Sequence, residues 1–473
     1  MSSKFLFLES VDLLSTIPQY HILLGAFVLL WVVWLTVKRR YNTRQPPELS
    51  NDEVERKLAS WQPEPLVNPI QDKNHPFLNP RLVTTKVGKR ITVDGNDCLN
   101  LGTHNYLGLV ENPNIEKKAI ASIQKYGVGS CGPRGFYGTV DVHLELEEQL
   151  ARFMELEEAI VYSYGFSTVA SAVSAYCKRR DLVYVDEKVN FSIQKGLDAS
   201  RSNIKYFKHN DATDLEKLLL QQAEIDKRNP KKATKIRRFL IIEGIYMNTG
   251  EICPLPALVK LCREYKLRIL VDESISFGVL GEHGKGVTEH FGVPKHEIDL
   301  IMGSLEWGIG SIGGFCVGSS FVIEHQRLSG LGYCFSASLS PFLASAAIVS
   351  LEIMEKTPQL FVKLKENCLQ FDTGLRKLAE FTVSGFAESP VKHLYLKDAP
   401  EQLNEFDALN LISKKCIENN LAVIPAAYLE IELNPVRPSL RICVSAVLED
   451  SDIKFVEGIQ TLWNYFMQLA TIY

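Results

Sequence analysis

Between residues 160 and 302 the chain carries five short apolar runs: Ile160–Tyr162, Leu182–Val185, Phe239–Ile242, Ile269–Val271 and Leu300–Met302. Each is bounded by polar residues or glycine, and the gaps between them are long enough for one helix or more. A strand covered on both faces loses its polar alternation and reads as a continuous apolar run, and parallel neighbours need crossovers of a dozen residues or more. The spacing therefore predicts an α/β fold, a large three-layer α/β/α domain over 96–345. Val142, Leu146, Leu150 and Phe153 keep helical spacing within it. Beyond it, an amphipathic helix over Leu351 to Leu364 and a strand over Ser439 to Val444 predict a small α+β C-terminal domain at 346–473.

The 473 residues carry a net charge of −4, which gives no footprint for nucleic acid. The basic stretch Asp226 to Arg238 reads as a solvated loop before a strand. Ten cysteines are scattered without a Cys-x-x-Cys pair or a histidine cluster. They read as reduced and mostly buried thiols, with no metal site, in a body that faces the cytosol.

One segment breaks the globular pattern. Ile22 to Val37 is free of charge, Tyr20 and His21 precede it, and Lys38-Arg39-Arg40 follow. Eighteen residues from Tyr20 make roughly 27 Å of helix against a hydrocarbon core of ~30 Å. A signal peptide would start basic, run shorter and end in small residues, so a single transmembrane helix at about 20–37 is the expectation. The basic cluster after it places the N-terminus in the lumen or outside and the main body in the cytoplasm, with residues 1–45 comprising the lumenal segment and the transmembrane helix. Residues 46–95 read as a linker and arm. Within them Ser50 and Glu53 form a capping box that opens a short amphipathic helix to Trp61, which lies on the membrane or docks on the body.

Several glycine-rich motifs follow in order. They are Asn105-Tyr-Leu-Gly-Leu109, Gly127-Val-Gly-Ser-Cys-Gly-Pro-Arg-Gly135 with Gly138 and His143, Glu243-Gly244, and Asp272-Glu273 with Gly278 to Gly286. Gly303-Ser-Leu-Glu-Trp-Gly-Ile-Gly-Ser-Ile-Gly-Gly-Phe315 and Phe335-Ser-Ala-Ser-Leu-Ser-Pro341 complete the series. One such string is weak; six in register are not. Together they resemble the α-oxoamine synthases, pyridoxal-phosphate enzymes that join an amino acid to an acyl-CoA. The resemblance implies the fold-type-I, aspartate-aminotransferase-like architecture of pyridoxal-phosphate transferases.

The resemblance also exposes a loss. Where that family's Gly-Thr-x-x-Lys-x-x-Gly-x-x-Gly-Gly motif has its imine-forming lysine, this chain has Trp307, and no lysine lies between Lys295 and Lys356. An indole nitrogen cannot form a Schiff base. Asn190 falls where the ring-stacking histidine would be, and Ile275 where the histidine of Asp-Glu-Ala-His would be. Asp272 matches the aspartate that pairs with the pyridinium nitrogen, as a relic or as a structural acceptor. Arg441 matches the arginine that grips the amino acid's carboxylate. Trp307 either fills vacated space or anchors an interface.

Within the family the motifs, the N-terminal helix and the missing lysine most resemble the lysine-less branch of serine palmitoyltransferase. That resemblance implies a heterodimer, or a dimer of heterodimers, with a lysine-bearing homologous subunit. The partner would hold the pyridoxal phosphate, with none bound covalently here. L-serine and palmitoyl-CoA would meet at the shared interface on the endoplasmic reticulum membrane, with small activating subunits and Orm-family regulators as further partners. Cys131, Gly132 and Arg134, with Phe335, Ser336 and Ser338, would then complete the partner's site. Arg134 equally reads as a structural salt bridge, and Cys131 as a small buried thiol. The other readings are an enzyme binding the cofactor non-covalently and a membrane scaffold.

Overall fold

The computed structural model describes residues 18–42, 49–67, 78–397, 404–426, 428–429, 431–432 and 436–454. It divides into two compact units, Met1–Pro80 and Arg81–Tyr473.

The first unit holds two helices. Gln19–Asn42 is a 24-residue α-helix. Among the described residues no helix is long and apolar enough to cross a membrane. The expected span at 20–37 falls within the helix Gln19–Asn42. Asn51–Ser60 begins at the capping box expected for it: Ser50 Oγ accepts from the Glu53 amide, and the Glu53 carboxylate accepts from the Ser50 amide. None of its residues is buried.

The second unit is built on three sheets. The strands, in chain order, are β1 (Arg90–Val93), β2 (Asn96–Asn100), β3 (Glu158–Tyr162), β4 (Leu182–Asp186), β5 (Asn203–Phe207), β6 (Arg238–Glu243) and β7 (Arg268–Asp272). They continue with β8 (Leu300–Ser304), β9 (Gly314–Gly318), β10 (Phe381–Ser384), β11 (Val391–Leu396), β12 (Leu421–Ala422), β13 (Ile424–Ala426) and β14 (Ser439–Cys443). Seven of them form one sheet in the order β3-β9-β8-β7-β6-β4-β5. Its strands run parallel except β9, which is antiparallel to both neighbours. β4, β8 and β9 are buried at every position, as both-face coverage requires.

A four-stranded antiparallel sheet, β10-β11-β14-β13, follows in the C-terminal part, and β12 pairs with β2 to extend the β1-β2 hairpin. The helix expected over 351–364 is two helices, Pro341–Lys356 and Gln359–Leu375. Pro358 lies between them, where it lacks the N–H that would continue the ladder. The expected boundary at 345 falls inside the first, which packs against the helices Pro113–Tyr126 and Asp141–Met154.

Candidate active-site region

In an open parallel sheet, functional groups gather at the carboxyl ends of the strands. β6 and β7 end side by side on two acids, with Glu243 paired in register to Asp272. Both are buried. Asp272 Oδ2 accepts from Asn190 Nδ2 at 2.9 Å, and Oδ1 accepts from the Ser274 amide at 3.0 Å and the Ser274 hydroxyl at 2.5 Å. The Asn190 amide N–H donates to Glu243 Oε1 at 2.7 Å, and the Met247 N–H to Glu243 Oε2 at 3.0 Å. Asn190 Oδ1 caps the helix Phe191–Ser200 by accepting from the Ser192 and Ile193 amides.

Two carboxyl groups in one dry place cannot both ionise freely. Burial, and then the neighbouring Asp272, push Glu243 up to about 8, and burial raises Asp272 as well. Ile275, just after them, is buried and offers no polar atom.

The loop after β8 carries Trp307. Its indole is partly buried in the main core and stacks on His104, ring centroids 4.9 Å apart at 30°. His104 Nδ1 lies 2.6 Å from the Tyr106 hydroxyl, and the Tyr106 amide donates to the Trp307 carbonyl at 3.3 Å. Burial, then Arg441 and His393, hold His104 below the ordinary histidine range. Arg441, on β14, donates to the Gly102 carbonyl at 3.4 Å, and its Nε is buried with no hydrogen-bond partner among the described residues.

The two segments expected to face a partner are packed on each other. The Ser338 amide donates to the Gly132 carbonyl at 3.0 Å, and its hydroxyl donates to the Gly138 carbonyl. Ser130 Oγ donates back to the Ser338 carbonyl at 3.1 Å. Ser336 Oγ is turned inward onto the Gly332 carbonyl. Cys131 is exposed, not the small buried thiol of the alternative reading, with φ +56°. Arg134 is buried and binds Glu147 through both prongs of its fork, at 2.8 and 3.0 Å, while Nε donates to Thr139 Oγ1 at 2.9 Å. Phe335 is 77% exposed. Hydroxyls and guanidinium thus face inward here, while a thiol and an aromatic ring face out.

The family model for aminotransferase class I and II matches residues 96–457. Serine palmitoyltransferase 1 of Dictyostelium discoideum is 39% identical over 451 residues, covering 93% of this chain and 92% of that protein. The chain belongs to the serine palmitoyltransferase 1 family. Long chain base biosynthesis protein 1 of Arabidopsis thaliana is 37% identical over 425 residues, 89% of this chain and 86% of that one. A solved serine palmitoyltransferase from S. paucimobilis, bound to a PLP–myriocin aldimine, is similar at 26% identity and a TM-score of 0.71, covering 80% of this chain and 90% of that one.

For a serine palmitoyltransferase 1 chain, the test is whether these residues suit pyridoxal phosphate held as an imine. They do not fit it. Trp307 supplies no amine, Asp272 Oδ2 already has a protein donor, and Ile275 is apolar. The motif reading missed His104 and Glu147. His104 lies beside a recognised motif but outside any pattern. Glu147 was detectable, as a charge one residue from Leu146 and three from Leu150 on the stripe that the helix Asp141–Met154 buries.

Proposed function

We propose that this chain is the non-catalytic, obligate subunit of serine palmitoyltransferase, the enzyme that condenses L-serine with palmitoyl-CoA to 3-ketosphinganine in sphingolipid synthesis. It stabilises a lysine-bearing homologous subunit, which holds the pyridoxal phosphate, and completes that partner's site with the 131–138 and 335–338 segments. One observation carries this reading: the cofactor-anchoring position is Trp307, and the acid that would meet the cofactor ring is already bound by Asn190. The chain keeps the fold of a catalyst while its own site is filled with protein contacts.

The charge-free run Ile22–Val37 and the basic cluster at 38–40 support a single span of the endoplasmic reticulum membrane, N-terminus in the lumen and body in the cytoplasm. Small activating subunits and Orm-family regulators are the further partners in this assembly. The test is the visible spectrum and serine-plus-palmitoyl-CoA turnover of the chain, alone and co-purified with a lysine-bearing homologue. Both signals are expected only in the complex, and both vanish when the partner's lysine is removed. Turnover by the lone chain overturns the proposal.

A further inference from the structure

The loop 131–138 combines strain, exposure and rigid anchoring in one place. Cys131 and Tyr137 both sit in the left-handed region, at φ +56° and +64°, where residues with a side chain are strained. Tyr137 is fully exposed, at 102%, and its neighbour Phe136 is 70% exposed. Such backbone persists only where its surroundings over-determine it, and it gathers at functional sites.

The surroundings here are specific. Arg134 grips Glu147 bidentately, and Glu147 Oε1 also accepts from the Val161 amide of β3 at 2.9 Å. The loop is thereby pinned to the central sheet. Arg134 also lies over the Tyr333 ring, 5.4 Å from its centroid, and Ser338 binds the Gly132 and Gly138 carbonyls from the other segment. A buried ion pair and a clamp therefore hold an aromatic side chain out from the surface. Among the described residues nothing covers that ring to repay its backbone strain.

We infer that Tyr137 is the side chain this subunit presents to the partner's reacting centre, and that Arg134 and Glu147 are positioning residues that hold it there. The inference rests on the proposed subunit function. It makes Arg134 a strut and not a group that touches the partner's site, since its fork and its Nε are already engaged.

Stability and activity should separate at Tyr137. Glycine adopts φ +64° without strain, and a fully exposed ring gives up no packing when removed. The lone chain carrying Tyr137→Gly should therefore melt no lower than the wild-type chain, and the co-purified complex should keep its subunit ratio and cofactor absorbance. Its kcat should fall roughly tenfold, the usual loss for one displaced contact of about 1.4 kcal/mol. Tyr137→Phe separates the hydroxyl from the ring: retained kcat assigns the role to the ring, lost kcat to the hydroxyl.

Arg134→Gln and Glu147→Gln should each lower kcat per assembled complex. Arg134→Lys should not rescue it, because an ammonium lacks the two-pronged fork. If Arg134 instead touches the partner's phosphate, Glu147→Gln frees it and kcat holds while Arg134→Lys stays active. That result overturns the strut. Wild-type kcat in Tyr137→Gly overturns the assignment of Tyr137. Failure of the subunit reading itself would show separately, as turnover by the lone wild-type chain.

Discussion

Asn190 and Asp272, 82 positions apart, are joined by a 2.9 Å hydrogen bond in which the side-chain amide donates to the carboxylate. In the α-oxoamine synthases that carboxylate serves the ring nitrogen of the cofactor; here a protein amide stands in for that donor. The same side chain caps the helix Phe191–Ser200 through its oxygen, so one asparagine is fully used at both ends.

Asn190→Ala removes the cap and the donor together. A lost cap costs about 1 kcal/mol, and a buried acceptor left short of a partner about 1–3 kcal/mol more. Denaturant unfolding of the complex should show a loss of about 2–4 kcal/mol. A loss under about 0.5 kcal/mol would mean that the Asn190–Asp272 contact is incidental.

The acid pair sets a pH dependence. Glu243 titrates at about 8 in the fold, against about 4.3 in an unfolded chain. Between those values the folded state holds a proton that the unfolded state has lost, so stability falls as pH rises. The contribution is fully present below about pH 4 and is lost through about pH 8. Glu243→Gln removes this group's titration, so its melting temperature should decline less steeply over that range. Parallel curves for the two proteins would refute the assignment.

Trp307→Lys should restore no catalyst. The new amine would stand against His104, which burial holds neutral, with Asp272 still bound by Asn190. Losing the indole stack should cost about 1–3 kcal/mol of stability. The lone variant chain, mixed with pyridoxal phosphate, should develop no aldimine absorbance and no turnover. An aldimine band that serine discharges would show that the lysine was the only loss that mattered.

What the sequence disclosed followed from the type of signal each residue carries. Leu182–Val185 and Leu300–Met302 were legible as strands because burial on both faces leaves an uninterrupted apolar run. β9 was not, since Gly314–Gly318 reads as the tail of a glycine motif and gains its strand character only by pairing with β3 and β8. Trp307, Asn190 and Ile275 stood out as departures from a known pattern. The inward turn of Ser336 and Ser338 was not legible, because a hydroxyl's partner is set by which segment folds onto it.

Glycine tolerance along the 127–138 loop should be sharply uneven. A Cβ at Gly138 would stand 2.0 Å from the Gly132 carbonyl oxygen and 2.6 Å from that of Pro133. Both are backbone atoms of the clamped loop, so Gly138→Ala forces the loop open and should cost about 3 kcal/mol or more. A Cβ at Gly129 meets nothing within 4 Å, so Gly129→Ala should stay within about 0.5 kcal/mol of wild type. Equal melting temperatures for the two variants would mean that the loop is not held as described.

The N-terminal helix offers a test of attachment that is independent of the active-site region. Phe27 and Leu30 lie near the middle of Gln19–Asn42, each 67% exposed. If this helix spans the bilayer, these side chains face lipid. An arginine at the centre of a span costs about 2.5–3.5 kcal/mol on insertion scales, so two of them cost about 5–7 kcal/mol. The Phe27→Arg, Leu30→Arg chain, and one lacking residues 20–37, should move from the membrane pellet to the supernatant after an alkaline carbonate wash, when expressed without the partner. The lone chain is required because a membrane-bound partner would retain it. Retention of both variants in the pellet would place the membrane attachment elsewhere in the chain.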